Sequence, residues 1–166
     1  MSDAAQILDA TTGGKHMWHE TAKELDRTVY ADRRRIEGLE HQPSWSCQPS
    51  VVCDTRHLPF KDGTFDLIAF DPPHRVTDGG MEQLSGVIEQ KYGALTAETW
   101  QSDLRASFDE LWRALRAGGT LTFKWADVHK SHDAVHDAVG RTPLYGVTTE
   151  KKRSLTKWWV YQKPRD

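Results

Sequence analysis

Apolar and polar positions along the 166-residue chain alternate between short continuous runs and one long helical stripe. "QILDAT" (6–11) is an apolar run that breaks into the glycine turn "TGGK", and reads as a first strand. "TVYADR" (28–33), "SVVCD" (50–54) and "FDLIAFD" (65–71) predict three more, ending on Asp32, Asp54 and Asp71. "HMWHETAKELD" (16–26) has helix-forming composition, and "RRRIEGLEHQPSWSCQPS" mixes a short helix with a Pro- and Ser-containing loop. Residues 75–100 contain Gly79, Gly80, Gly86 and Gly93 without a clear period, which predicts an irregular insertion with a helical piece near 81–91. Leu104, Phe108, Leu111, Trp112 and Leu115 then recur at helical spacing, and Gly118 and Gly119 close that helix. "TLTFKWA" (120–126) is a fifth strand, and "SHDAVHDAV" (131–139) a helix opened by the N-cap Ser131. "LYGVTTE" and "KWWVYQK" flank the basic turn "KKRSLT" as a terminal hairpin.

Strands alternating with helices imply an α/β domain: a mostly parallel, doubly wound sheet with helices on both faces. The closing hairpin adds one antiparallel strand. The length fits a single domain spanning 1–166, with room for a core. The net charge of −2 gives no global attraction to a polyanion, so such a partner needs a local basic patch. Cys47 and Cys53 have neither metal-ligand spacing nor the number of a disulfide scaffold, which points to a reducing, cytoplasmic setting. No apolar run is long enough to span a bilayer, and the N-terminus lacks a signal-peptide pattern. Neither a membrane nor a metal is expected as a partner.

In a parallel sheet the C-terminal strand ends share one edge, so Asp9, Asp32, Asp54 and Asp71 gather along one crevice. Gly13 and Gly14 after the first strand let a ligand approach the backbone closely. Asp32 is placed to accept hydrogen bonds from ribose hydroxyls, and Asp54 from an adenine amino group. Together they describe an adenosine-type ligand across the first three strands. The fourth strand ends abruptly on Asp71-Pro72-Pro73-His74, because the prolines cannot extend a ladder. Its carboxylate is therefore carried on a stiffened strand tip.

The series "ILDATTGG", "VYADR", "CDTRHLPFKDGTFDLI", "FDPPH" and "ALRAGGTLTFKW" resembles the class I S-adenosylmethionine-dependent methyltransferases over essentially the whole chain. "DPPH" is similar to the Asp/Asn-Pro-Pro-aromatic motif of methyltransferases acting on exocyclic amino groups of nucleobases. The resemblance implies a Rossmann-like sheet of seven strands, six parallel and one antiparallel, with S-adenosylmethionine at the strand tips. Carried over, Asp9, Thr11, Gly13 and Gly14 flank the methionine moiety, Asp32 the ribose, Asp54 and Thr55 the adenine, and Asp71 borders both ligands. Asp71 and the Pro72 carbonyl would accept hydrogen bonds from the acceptor amino group, held by Pro73, while His74 stacks on a flat substrate or takes a proton. Lys15 stands where the family usually has a further glycine, and His74 where it has Tyr, Phe or Trp.

Lys124 and Trp125, at the tip of the fifth strand, and Lys151, Lys152 and Arg153, in the basic turn, are the candidate substrate contacts, with the 75–100 insertion as recognition segment. Trp45, Trp100, Trp158 and Trp159 are candidate stacking platforms. His129, His132 and His136 read as a solvated helix face, and Arg33, Arg34 and Arg35 as a charged helix start. No separate target-recognition domain is visible, and a homo-oligomer or partner subunit is compatible with that. The leading reading is amino-methylation of a nucleobase in RNA or DNA. A small-molecule or protein methyltransferase, and an idle S-adenosylmethionine-binding subunit, stand as alternatives, since one fold serves all three.

Overall fold

The computed structural model describes residues 6–146 and 156–165. Among the described residues nine strands form: β1 (Ile7–Asp9), β2 (Thr28–Asp32), β3 (Val51–Val52), β4 (Phe65–Phe70), β5 (Val76–Thr77), β6 (Leu95–Thr96), β7 (Leu115–Ala126), β8 (Tyr145–Gly146) and β9 (Thr156–Gln162). Seven of them make one sheet in the order β3-β2-β1-β4-β7-β9-β8, while β5 and β6 pair separately. All pairs are parallel except those of β9, which runs antiparallel to both β7 and β8. The chain thus winds outward from β1 on one side and from β4 on the other. Their tips, side by side at the point where the order reverses, are where an open α/β sheet holds its ligands.

The helices are α1 (Val87–Tyr92), α2 (Trp100–Ala114) and α3 (His132–Val139). The stripe on α2 buries Leu104, Phe108 and Leu111 in one cluster with Ile68, Phe70, Leu121, Phe123, Trp125, Val135 and Tyr161. Alternate residues of β4 and β7 supply one sheet face to this core, as the pleat requires. Helix α3 begins as expected: Ser131 Oγ accepts from Ala134 N at 3.2 Å, and Gly140, at φ 64°, closes the other end. Among the described residues no helix is long and apolar enough to cross a membrane.

Three elements differ from expectation. The 16–26 run forms a single 3-10 turn, Glu20–Ala22, between turns. It carries too few apolar residues to repay helix nucleation. Its Trp18 is instead drawn to Asp9, and Tyr30 Oη donates to Lys23 O at 2.9 Å. The 33–50 segment is helix-free as well, folding back on itself through antiparallel bridges Ile36–Cys47 and Leu39–Gln42. Gly38, at φ 106°, makes that reversal possible. The connections that follow β1 and β2 thus carry no α-helix, where the sequence predicted one in each. Finally, α2 stops at Ala114, and Leu115 already pairs with Phe65 in β7, so Gly118 and Gly119 lie in an irregular stretch of the strand and not in a helix cap.

Candidate active site

The tip of β1 runs into Thr11, Thr12, Gly13 and Gly14, a turn held by Lys15 N donating to Thr12 O at 2.9 Å. Gly13 has φ 48° and open space where a side chain would sit, so its conformation, not crowding, calls for glycine. Its N–H donates to Asp32 Oδ2 at 2.9 Å, tying the loop to the tip of β2. Lys15 adopts φ 56°, a left-handed conformation that favours glycine, and lays its ammonium over the Tyr30 ring at 3.7 Å. These tips open onto one cavity of about 590 Å³, within the range of small-ligand sites. Thr11, Gly13, Gly14, Asp32, Asp54, Thr55, Asp71, Pro72, Pro73, His74 and Lys124 all line it.

Asp71 sits at its centre. Its N–H donates to Thr11 Oγ1 at 2.9 Å, which locks the tip of β4 to that of β1. Lys124 Nζ donates to its Oδ2 at 2.8 Å, and His74 Nε2 approaches its Oδ1 at 3.0 Å, away from the line of a straight hydrogen bond. Burial pushes the Asp71 carboxyl up, but His74 and Lys124 outweigh it and hold the group below its ordinary value. Asp54 is fastened by Arg56, whose N, Nε and Nη2 donate to it at 2.9, 3.0 and 2.7 Å. Those bonds lower its pKa to about 2. Arg56 Nη1 continues to Asp103 Oδ1 at 2.7 Å, and Thr55 Oγ1 lies 2.8 Å from Ser107 Oγ.

Two expected site residues do not reach the cavity. Asp9 is fully buried, accepting from Trp18 Nε1 at 2.7 Å and from Thr11 N at 3.3 Å, so it braces the glycine loop from behind. Trp125 is also fully buried, because alternate residues of a strand point to opposite faces and Lys124 takes the cavity side. Trp125 donates to Lys130 O at 3.0 Å and meets the site only through the edge of His74, 5.1 Å between ring centroids. Lys151, Lys152 and Arg153 lie outside the described residues.

The 75–99 segment forms the facing wall, with Met81, Ile88, Tyr92 and Thr96 on the cavity. Its attachment was missed in the sequence. Arg34 donates to the carbonyls of Gln90 and Lys91 at 2.7 and 2.9 Å, closing the end of α1, and Tyr92 packs edge-on to Trp45. His129 Nδ1 lies 2.9 Å from Val76 N and 2.8 Å from Val76 O, joining the wall to the loop after β7. Arg33 stands 3.9 Å from Asp54 and Arg35 donates to Pro49 O, so no arginine of the trio starts a helix. Contrary to a solvated face, His132 and His136 pack edge-on against Trp159, at 5.3 and 4.4 Å. Among the described residues no group of side chains is arranged to hold a metal ion. Of the four tryptophans considered as platforms, Trp45, Trp100 and Trp159 are buried, and Trp158 alone is exposed.

Neither a protein-family model nor a curated protein sequence matches this chain. Solved structures do. The PH0226 protein of Pyrococcus horikoshii OT3 superposes with a TM-score of 0.61 at 15% identity, over 99% of this chain and 84% of that one. The N-methyltransferase NodS of Bradyrhizobium japonicum WM9 gives 0.59 at 14%, over 97% and 86%, and has also been solved with S-adenosyl-L-homocysteine. The T. thermophilus 16S rRNA N2 G1207 methyltransferase, in complex with AdoMet and guanosine, gives 0.55 at 14%, over 100% of this chain and 37% of that one. At such identities the likeness is one of fold. The fold is the Rossmann-like one of the S-adenosylmethionine-dependent methyltransferases.

Proposed function

We propose that the protein is an S-adenosylmethionine-dependent methyltransferase acting on the exocyclic amino group of a nucleobase in RNA or DNA. The observation that carries this reading is one shared cavity: it joins the glycine turn, Asp32 and Asp54 to the Asp71-Pro72-Pro73 corner. The residues present fit the cofactor. Gly13 leaves open space beside the turn, and carboxylates of differing fastening stand at successive strand tips. Asp32 would take the ribose hydroxyls, Asp54 and Thr55 the adenine end, and the turn the methionine end. When bound, the cofactor supplies an electrophilic methyl group on sulfonium sulfur. The chain's part is to orient the acceptor and order its protons. The Pro72 carbonyl and the Asp71 carboxylate, on a backbone stiffened by two prolines, are preorganised acceptors for amino protons. Hydrogen bonds from those protons localise the nitrogen lone pair, which is otherwise delocalised into the ring.

Titration calorimetry with S-adenosylmethionine and S-adenosyl-L-homocysteine, against a nicotinamide dinucleotide as control, tests the cofactor. Both sulfur ligands should bind and the control should not. A labelled-methyl assay on total RNA, single-stranded DNA and a small-molecule extract tests the acceptor. Label confined to the small-molecule extract would favour the second reading, a small-molecule acceptor, which the apolar wall of Met81, Ile88 and Tyr92 also suits. Cofactor binding with no label in any fraction would favour an idle binding subunit.

A further inference from the structure

We propose that His74 is the catalytic base of the transfer, receiving the acceptor's proton on Nδ1, so that the acceptor is restricted to groups with a proton to lose. The inference rests on the reading of the cavity as a methyl-transfer site. Its geometry does not. His74 Nε2 is shut away from solvent, 3.0 Å from Asp71 Oδ1. Trp125, itself fully buried and anchored on Lys130 O, presses on the ring from the core. One nitrogen and one side of the imidazole are thus committed to the protein. With the ring lining the cavity, Nδ1 is the nitrogen left to the ligand.

The surrounding charges favour this division. From β7, Lys124 holds the second oxygen of Asp71. Asp71 at the tip of β4 is thereby held below its ordinary pKa as an anion, which suits it to accept hydrogen bonds and orient the acceptor and not to be the proton's destination. The other titratable neighbours are occupied elsewhere: Arg75 faces Glu89 at 3.5 Å, and His129 is taken up by the Val76 backbone. With Nε2 buried 3.0 Å from a carboxylate oxygen, a lone pair there would face an anion, which favours the tautomer with hydrogen on Nε2 and leaves the Nδ1 lone pair to the cavity.

The balance of the step is simple. One nitrogen–carbon bond forms from the acceptor's lone pair, and one carbon–sulfur bond breaks with its electrons remaining on sulfur. The nitrogen is left with one proton too many, and that proton passes to Nδ1. Imidazolium beside ionised Asp71 is then stabilised until the proton escapes to solvent. A tertiary amine or a thioether, with no proton to give, would gain nothing from the ring.

Two measurements on the full chain test this. Long-range proton–nitrogen correlation spectra of the imidazole form should show the His74 hydrogen on Nε2, assigned by the signals lost in His74→Gln. Hydrogen on Nδ1 would overturn the proposal, whatever the acceptor proves to be. Single-turnover methyl transfer to total RNA should run at least roughly a hundredfold slower in His74→Phe, which keeps a flat ring but has no nitrogen to take the proton. A phenylalanine variant as fast as wild type would make the ring a stacking surface and overturn the proposal. No transfer to any acceptor, with Nε2–H observed, would retire the methyl-transfer reading while leaving the Asp71–His74 pair in place.

Discussion

At the scale of single residues, the four strand-end aspartates have diverged in role according to what surrounds them. Asp54 is pinned by Arg56, Asp71 by Lys124 and His74, Asp32 by backbone N–H groups of Gly13 and Arg34, and Asp9 by Trp18. Burial is the largest influence on Asp9, and the charges of Asp71 and Asp32 add to it. Against the hydrogen bonds from Trp18 and Thr11, they raise its pKa from 3.8 to about 7. Between those values the folded protein keeps a proton that the unfolded chain has released, so stability falls as pH climbs from about 4 to about 7 and levels off above. Asp9→Asn has no such titration, and its urea midpoint should lack that decline; equal declines in both proteins would clear Asp9 as the source. Asp32 faces the cavity, and Asp32→Ala should weaken S-adenosylmethionine by about 1.5–3 kcal/mol in calorimetry, the worth of charge-assisted hydrogen bonds. An unchanged affinity would remove the ribose role. Asp9, Asp32 and Asp71 were all legible as strand ends. What spacing does not carry is which side of the pleat each side chain leaves, and that placed Asp9 behind the loop and Trp125 behind His74.

At the scale of elements, legibility followed how much apolar surface an element buries. The α2 stripe could be read because Leu104, Phe108 and Leu111 all enter the core, and α3 because Ser131 and Gly140 cap it by local chemistry. The 16–26 and 33–50 segments are organised instead by distant polar partners, Asp9, Tyr30 and the bridge to Cys47, which leave no period in the sequence. The wall of the cavity is the clearest case. Helix α1 has only six residues, too few to be stable alone, and Arg34 supplies hydrogen bonds to its last carbonyls from 56 and 57 residues away. Arg34→Ala should therefore release 87–92 locally. Amide exchange there should quicken and S-adenosylmethionine affinity drop, while the global urea midpoint moves little. Leu111→Ala, in the core, should do the reverse: a loss of about 2–5 kcal/mol in global stability. A global loss from Arg34→Ala as large as that from Leu111→Ala would mean that α1 is part of the core's cooperative unit and not a separately held wall.

At the scale of the whole molecule, the problem is how a chain of net charge −2 would hold a polyanion. The sequence between β8 and β9 includes Lys151, Lys152 and Arg153, with Lys157 just after it. β9 starts at Thr156 opposite Ala126, and β8, parallel to β7, ends at Gly146 opposite Trp159. Both strand ends thus flank the sheet edge that carries Asp71 and Lys124. Trp158, more than a third exposed, stands across from Lys124, whose ammonium lies 5.7 Å from its ring. Positive charge along the phosphates and a flat surface for a base are what holding a single strand requires. If the basic residues act so, binding to RNA should fall steeply with salt, since each phosphate contact releases a counterion, at a log–log slope of roughly −0.7 per contact on single strands. Alanine at Lys151, Lys152 and Arg153 together should flatten that slope and leave S-adenosylmethionine affinity unchanged. Trp158→Ala should weaken RNA by about 1–3 kcal/mol without altering the slope, because stacking releases no ions. The two variants separate charge from stacking in one titration series. A slope and a turnover on RNA that survive the triple replacement would dispose of that role, and would shift the acceptor toward a small molecule that fits wholly within the walls of the cavity.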